Sequence, residues 1–262
     1  TGGRALFDLA SQREEPIPVF AEMGSINPVI ITPKAISRRA DEIAQTYSDS
    51  ITLGTGQFCT NPGLLLTIKD ANTQSFVETL AEKTVAIAPQ CMLHPNIKKG
   101  YLKNGGEVTS QKGVESIDKR DEDVQVNDAP AEVATVLGAD FLNNPKMHKE
   151  VFGPFSLVVQ CKDEEELLQV IENLEGQLTG TLIAEKDDDL DLETLVDVLQ
   201  NRVGRIIYNG VPTGVEVCPS MQHGGPYPAS TDSRFTAVGI HSIKRWARPI
   251  SYQSFPEELL PT

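Results

Sequence analysis

Apolar positions along this chain switch between a helical period and short runs of strand length, and that switching predicts its architecture. Residues 4–12 read as a short helix that ends before the Glu14-Glu15-Pro16 break. Val19-Phe20-Ala21, following Pro18, reads as a short strand that delivers Glu22 at its carboxyl end, the end where open α/β sheets bind ligands. Ala35, Ile36, Ala40, Ile43, Ala44 and Tyr47 recur at helical spacing over residues 34–48. Phe76, Val77, Leu80, Ala81, Thr84 and Val85 share one face of a second helix over 71–88. Strands are expected at 133–137 and 155–160. Asp163-Glu164-Glu165-Glu166 puts acids where the helix dipole favours them, so a helix is expected from there to about 174, closed by Gly176. Leu182-Ile183-Ala184 reads as a strand, Leu192–Asn201 as a helix and Arg205–Tyr208 as a strand again. Strands and helices alternating at these intervals predict an α/β fold with a mostly parallel sheet flanked by helices. Residues 103–130, polar and rich in Gly, Lys, Asp and Glu, read as a surface excursion. Residues 210–236 read as loop, and the alternating tail 238–252 as an edge strand.

Composition narrows the partners. The 262 residues suffice for one large domain or two small ones. With 23 basic and 37 acidic residues the formal net charge is −14, which argues against nucleic acid and against an anionic membrane surface. No apolar run approaches the roughly 18 residues that span a bilayer, and no signal peptide is expected. Cys59, Cys91, Cys161 and Cys218 show neither paired spacing nor a C-x-x-C, so free thiols in a reducing, cytoplasmic compartment are expected. The four histidines, at 94, 148, 223 and 241, lack metal-ligand spacing, and no metal is expected.

Cys59 carries the candidate chemistry. It lies in Gly54-Thr55-Gly56-Gln57-Phe58-Cys59-Thr60-Asn61-Pro62-Gly63, where three glycines and a proline preclude a regular helix or strand. A thiol on such a loop can point into a cleft and attack an electrophilic carbon. Alone, it would read first as a small buried hydrophobe. Upstream stands Glu22-Met23-Gly24-Ser25-Ile26-Asn27-Pro28. Further on come Glu150-Val151-Phe152-Gly153-Pro154 and Gly204-Arg205-Ile206-Ile207-Tyr208-Asn209-Gly210. Together, in this order, the four segments resemble the aldehyde dehydrogenase family.

The resemblance implies an aldehyde-dehydrogenase-like catalytic domain and an NADP- or NAD-dependent oxidation of an aldehyde to an acid. Cys59 would be the nucleophile, its backbone N–H helping to hold the oxyanion. Glu22 would be the general base, a partly buried carboxyl suited to accepting a proton at neutral pH. Glu150 would accept hydrogen bonds from the nicotinamide ribose, with Phe152 packed nearby. Taken alone, Glu150 reads as a solvated acid in a Lys-Glu run and Phe152 as plain core. The remaining cysteines read as structural, and no histidine stands in a motif that would partner Cys59. The segment Met221–Arg234, with Pro212–Val217 and Arg248–Pro256, is similar to a branch of the family that oxidises 2,5-dioxopentanoate to 2-oxoglutarate. The alternatives are another short semialdehyde or a non-catalytic assembly chain of the same fold. Arg234 suits an anionic substrate only by chemistry; a helix cap or salt bridge is the better reading. The Gly-rich opening at Thr1-Gly2-Gly3, without a preceding strand, suggests the C-terminal half of a longer enzyme, inactive alone. The expected division is 1–24 as a remnant of a coenzyme-binding domain, 25–236 as the catalytic domain and 237–262 as a tail. Homo-oligomers are the rule in the family and are expected here.

Overall fold

Two apolar layers on opposite faces of one sheet organise the chain. The computed structural model describes residues 2–119 and 126–261. In order it forms α1 (Gly2–Ser11), β1 (Pro28–Ile31), α2 (Pro33–Thr52), β2 (Leu64–Ile68), α3 (Thr73–Ala86), β3 (Gln90–Cys91) and α4 (Pro95–Thr109). There follow β4 (Glu115–Lys119), β5 (Asp128–Ala129), β6 (Glu132–Leu137), α5 (Gly138–Leu142), β7 (Phe155–Cys161), α6 (Glu164–Asn173), β8 (Gln177–Ile183), α7 (Leu192–Gln200) and β9 (Val203–Tyr208). Seven strands make the main sheet in the order β4-β6-β7-β2-β1-β8-β9. Every pairing in it is parallel except β4 with β6, so the expected α/β fold stands.

Side chains alternate between the two faces, as a pleated strand requires. Ile30, Leu64, Leu66, Leu157 and Val159 pack towards α5, α6 and α7. Val29, Ile31, Leu65 and Val158 pack towards α2 and α3 with Ile36, Tyr47 and Phe76. Burial on both faces is what parallel strands demand, and it explains their continuous apolar runs. The helix starts follow local chemistry. Thr32 Oγ1 accepts from the Ala35 N–H ahead of Pro33, and Asp163 accepts from the Glu166 N–H, with acids in the first turn of α6.

Five local expectations change. Residues 19–21 form no strand: Glu22 makes only an isolated bridge to Ser230, and the strand that follows is β1. Glu22 and Cys59 therefore precede β1 and β2, and the site gathers at the amino edge of the parallel sheet, not the carboxyl end. The stretch 103–130 is largely structured. It contains the end of α4, the edge strand β4 and β5, while 120–125 lies outside the described residues. Its polar composition hid a helix whose buried face is only Tyr101, Gly105 and Val108. Helix α6 ends at Asn173 with an extended Leu174 as its cap. Gly176 instead admits a neighbour: a Cβ there would lie 2.0 Å from the Pro226 carbonyl oxygen. The tail 238–252 is no strand, and Ile240–Arg245 turns as a 3₁₀ helix.

Candidate active site

The Cys59 loop owes its shape to three consecutive left-handed residues, Gly54, Thr55 and Gly56, with φ of 55°, 59° and 62°. Gly56 is obligatory on steric grounds as well. A Cβ there would stand 2.2 Å from the Gly153 carbonyl, so the loop lies backbone against backbone on the Glu150–Pro154 segment. Asn61 Nδ2 fastens the two by donating to the Gly153 carbonyl at 3.1 Å.

A second fastening runs to the Glu22 segment through Asn27, which is buried and itself left-handed at φ 48°. Its Nδ2 donates to the Cys59 and Asn61 carbonyls, both at 2.9 Å. Its Oδ1 accepts from Ser25 Oγ and from the Thr179 N–H and hydroxyl. Gln177 holds the same turn from the start of β8, accepting from the Ile26 N–H at 2.6 Å. Cys59, Glu22 and Glu150 are thus held on three loops that share one hydrogen-bonded frame.

The loop after β9 supplies what the sequence reading missed. His223 Nε2 lies 3.5 Å from Cys59 Sγ and 3.6 Å from Glu22 Oε2. The residue is only 6% exposed. Its backbone is clamped: the His223 N–H donates to Thr236 Oγ1, and the His223 carbonyl accepts from the Ala237 N–H, both at 2.8 Å. Glycines make room for this segment. A Cβ on Gly204 or Gly225 would collide with the Gly224 carbonyl oxygen at 1.9 Å or the Gln177 carbonyl oxygen at 2.1 Å. The same loop holds the Glu22 segment in place, through Met23 N–H to the Ala229 carbonyl and Thr231 N–H to the Ala21 carbonyl. No histidine stands in a recognisable motif, yet the fold brings His223 to Cys59. The signal available was a histidine set before two glycines in a loop already singled out for other reasons.

Electrostatics follow from this packing. Hydrogen bonding to Cys59, then to Glu22, raises the His223 pKa to about 9 against the opposing effect of burial. Arg205 on β9 also faces Cys59 electrostatically, while burial lowers its own pKa. Its guanidinium donates to the Pro212 and Gly214 carbonyls, and its Nε has no partner among the described residues. Cys59 itself is exposed. Among the described residues, no backbone acceptor takes its N–H. The Glu22 side chain is 27% accessible and so partly buried, although the residue as a whole is exposed.

Glu150 lines an open cleft of about 720 Å³ with Gly24, Ser25, His148, Gln177 and Tyr227. Burial raises its pKa, opposed by the Ser25 N–H at 3.5 Å. A Cβ on Gly24 would stand 3.2 Å from Glu150 Oε2, so this glycine keeps the carboxyl group accessible. Phe152 lies in an adjacent crevice with Phe58 and Gly56. A carboxylate with lone pairs to spare at a cleft wall fits the vicinal hydroxyls of a ribose. Two residues lie apart from the site. Asn209 caps the carboxyl end of the sheet by bonding Ala184, and Arg234 is exposed and paired with Asp232 at 2.6 Å. Cys161 is buried, with its pKa pushed up to about 12, whereas Cys91 is exposed. No helix among the described residues is long and apolar enough to cross a membrane.

A parallel α/β sheet carrying Cys and Glu loops at one edge defines a class: the chain belongs to the aldehyde dehydrogenase family, whose sequence profile matches residues 1–243. It is 46% identical to alpha-ketoglutaric semialdehyde dehydrogenase 2 of Azospirillum brasilense over 99% of this chain and 50% of that protein. It is 42% identical to the alpha-ketoglutaric semialdehyde dehydrogenase of Acinetobacter baylyi, again over 99% and 50%. The chain spans half the length of these curated relatives. In fold it is similar to the crystal structure of an indole-3-acetaldehyde dehydrogenase complexed with NAD+. That match has a TM-score of 0.76 at 16% identity, over 93% of this chain and 48% of that one.

Proposed function

We propose that this chain supplies the catalytic half of a dehydrogenase that oxidises 2,5-dioxopentanoate to 2-oxoglutarate with NADP or NAD. The observation that carries the reading is the meeting of the Cys59 thiol and the Glu22 carboxylate across one buried ring. Cys59 adds to the aldehyde carbon as a thiolate, and its unengaged N–H receives the developing oxyanion. The nicotinamide, when bound, supplies the hydride acceptor. Glu150 would hold the coenzyme's ribose hydroxyls and Phe152 would wall the adjacent crevice. Once the acyl group is on sulfur, Glu22 takes a proton from the water that releases the acid.

Two relatives above 40% identity, both named for alpha-ketoglutaric semialdehyde, support the substrate. The NAD+ complex of the fold neighbour supports the coenzyme class. Residues 25–236 act as the catalytic domain, 1–24 lead in from the coenzyme side and 237–262 form a tail. The working protein is a cytoplasmic homo-oligomer. The test is turnover by the purified full-length enzyme with 2,5-dioxopentanoate and each coenzyme, compared by kcat/KM with succinic semialdehyde and an uncharged aldehyde. A tenfold or greater preference for 2,5-dioxopentanoate is expected, together with loss of at least about 10³-fold in Cys59→Ala. Retained turnover in that variant refutes the nucleophile, and equal kcat/KM across the panel refutes the substrate.

A further inference from the structure

We infer that His223, and not Glu22, takes the proton from the Cys59 thiol, leaving Glu22 free as the carboxylate that later serves water. This deepens the proposed function, since it rests on Cys59 being the nucleophile.

The geometry carries it. Both Cys59 Sγ and Glu22 Oε2 approach the same ring atom, Nε2, at 3.5 and 3.6 Å. One nitrogen between a sulfur and a carboxylate cannot satisfy both as a bare acceptor, because its lone pair would face the carboxylate oxygen. A proton on Nε2 satisfies both at once. Nε2 is the acceptor within reach of the thiol, and once it takes the Cys59 proton the ring is an imidazolium whose Nε2–H faces both anions, which the raised pKa of the ring supports. The charged group that also faces the thiol is Arg205, a cation that favours the thiolate as well. The anchors on Thr236 and Ala237 fix the backbone that carries the ring, and the residue is buried.

The chemistry divides the proton work in two. The S–H bond breaks and an N–H bond forms on Nε2. The sulfur electron pair then makes the S–C bond, and the carbonyl π pair becomes the oxyanion. Were Glu22 the acceptor at this stage, it would hold a proton when the acyl group arrives and would have to lose it before activating water. With His223 holding that proton, the carboxylate stays ionised for the second half of the reaction. Because it contacts the reacting sulfur, His223 is a catalytic residue, whereas Thr236 only positions it.

The test reads the thiol directly. Iodoacetamide alkylation is followed on the Cys59 peptide by mass spectrometry across pH 5–10, since exposed Cys91 also reacts. In the wild-type protein, alkylation at pH 7 is expected to be near its plateau. In His223→Gln it should fall at least tenfold at pH 7 and rejoin the wild-type rate near pH 10. Glu22→Gln, which removes one of the two anions facing the ring, should lower alkylation at pH 7 by clearly less than His223→Gln does while abolishing deacylation. Absorbance at 240 nm in the unsubstituted protein, compared with Cys59→Ser at pH 7, reports the thiolate even if His223→Gln folds poorly. A profile for His223→Gln that overlays wild type, no thiolate absorbance at pH 7, or an equal loss in Glu22→Gln overturns the inference. Those outcomes leave the dehydrogenase reading intact, because that reading falls only if Cys59→Ala keeps turning over.

Discussion

Asn27→Ala removes the side chain that ties the Glu22 segment to the Cys59 loop. Five hydrogen bonds go with it, two donated to the carbonyls of Cys59 and Asn61 and three accepted from Ser25 and Thr179. Asn61 keeps a donor from the Gly63 N–H, so the orphaned groups that matter are the Cys59 carbonyl and the Thr179 N–H. A buried polar group left without its partner costs about 1–3 kcal/mol. Alanine at φ 48° adds about 1–2 kcal/mol that asparagine and glycine tolerate better. The sum, about 3–8 kcal/mol for the two orphaned groups and the backbone, is a large share of the roughly 5–15 kcal/mol that holds a domain folded. Urea unfolding should show a lower midpoint at unchanged slope. Asn27→Gly should recover about 1 kcal/mol of the loss by relieving the backbone. Asn27→Asp should not recover it, because an oxygen would replace Nδ2 at 2.9 Å from two carbonyls. Turnover should fall at least about 10²-fold in all three, since a shift of about 1 Å in the sulfur is enough. Stability within about 1 kcal/mol of wild type, with more than half the turnover retained in Asn27→Ala, would refute the idea that this residue sets the site.

Gly176→Ala drives a Cβ to within 2.0 Å of the Pro226 carbonyl oxygen. A lowered urea midpoint and slower alkylation of Cys59 should appear together, as the segment carrying His223 is displaced. Glu150→Gln weakens acceptance from the ribose hydroxyls, so the coenzyme KM should rise about tenfold, worth about 1.4 kcal/mol, with a smaller change in kcat. The pH dependence has a definite sign. Folding raises the His223 pKa from 6.5 to about 9, so its stabilising contribution is complete below pH 6.5 and is lost as pH rises through about 9. Unfolding free energy measured over that window should therefore decline with pH in the unsubstituted protein, and more shallowly in His223→Gln.

Amphipathic helices were the most legible elements. α2, α3, α6 and α7 each present apolar residues at helical spacing, and that face is the one each buries. The two central strands were harder to see. β1 and β2 have four and five residues, buried almost throughout, and so short an apolar run carries no period. β8 begins with Gln177, a polar residue buried for its hydrogen bonds to Ser25 and Ile26, so only its apolar end stood out. α4 was hidden by lysines and glycines on its exposed side.

Local chemistry written along the chain was enough to mark the Cys59 and Glu22 loops, the alternation of helix and strand, and the family resemblance. All of these depend on residues near one another in sequence. The partnership of His223 with Cys59 spans 164 residues. It exists because Gly176, Gly204 and Gly225 let one loop press its backbone against the start of two strands. Such an approach depends on steric fit between distant segments, and that fit appears only once the sheet has formed and its amino edge has drawn the loops together.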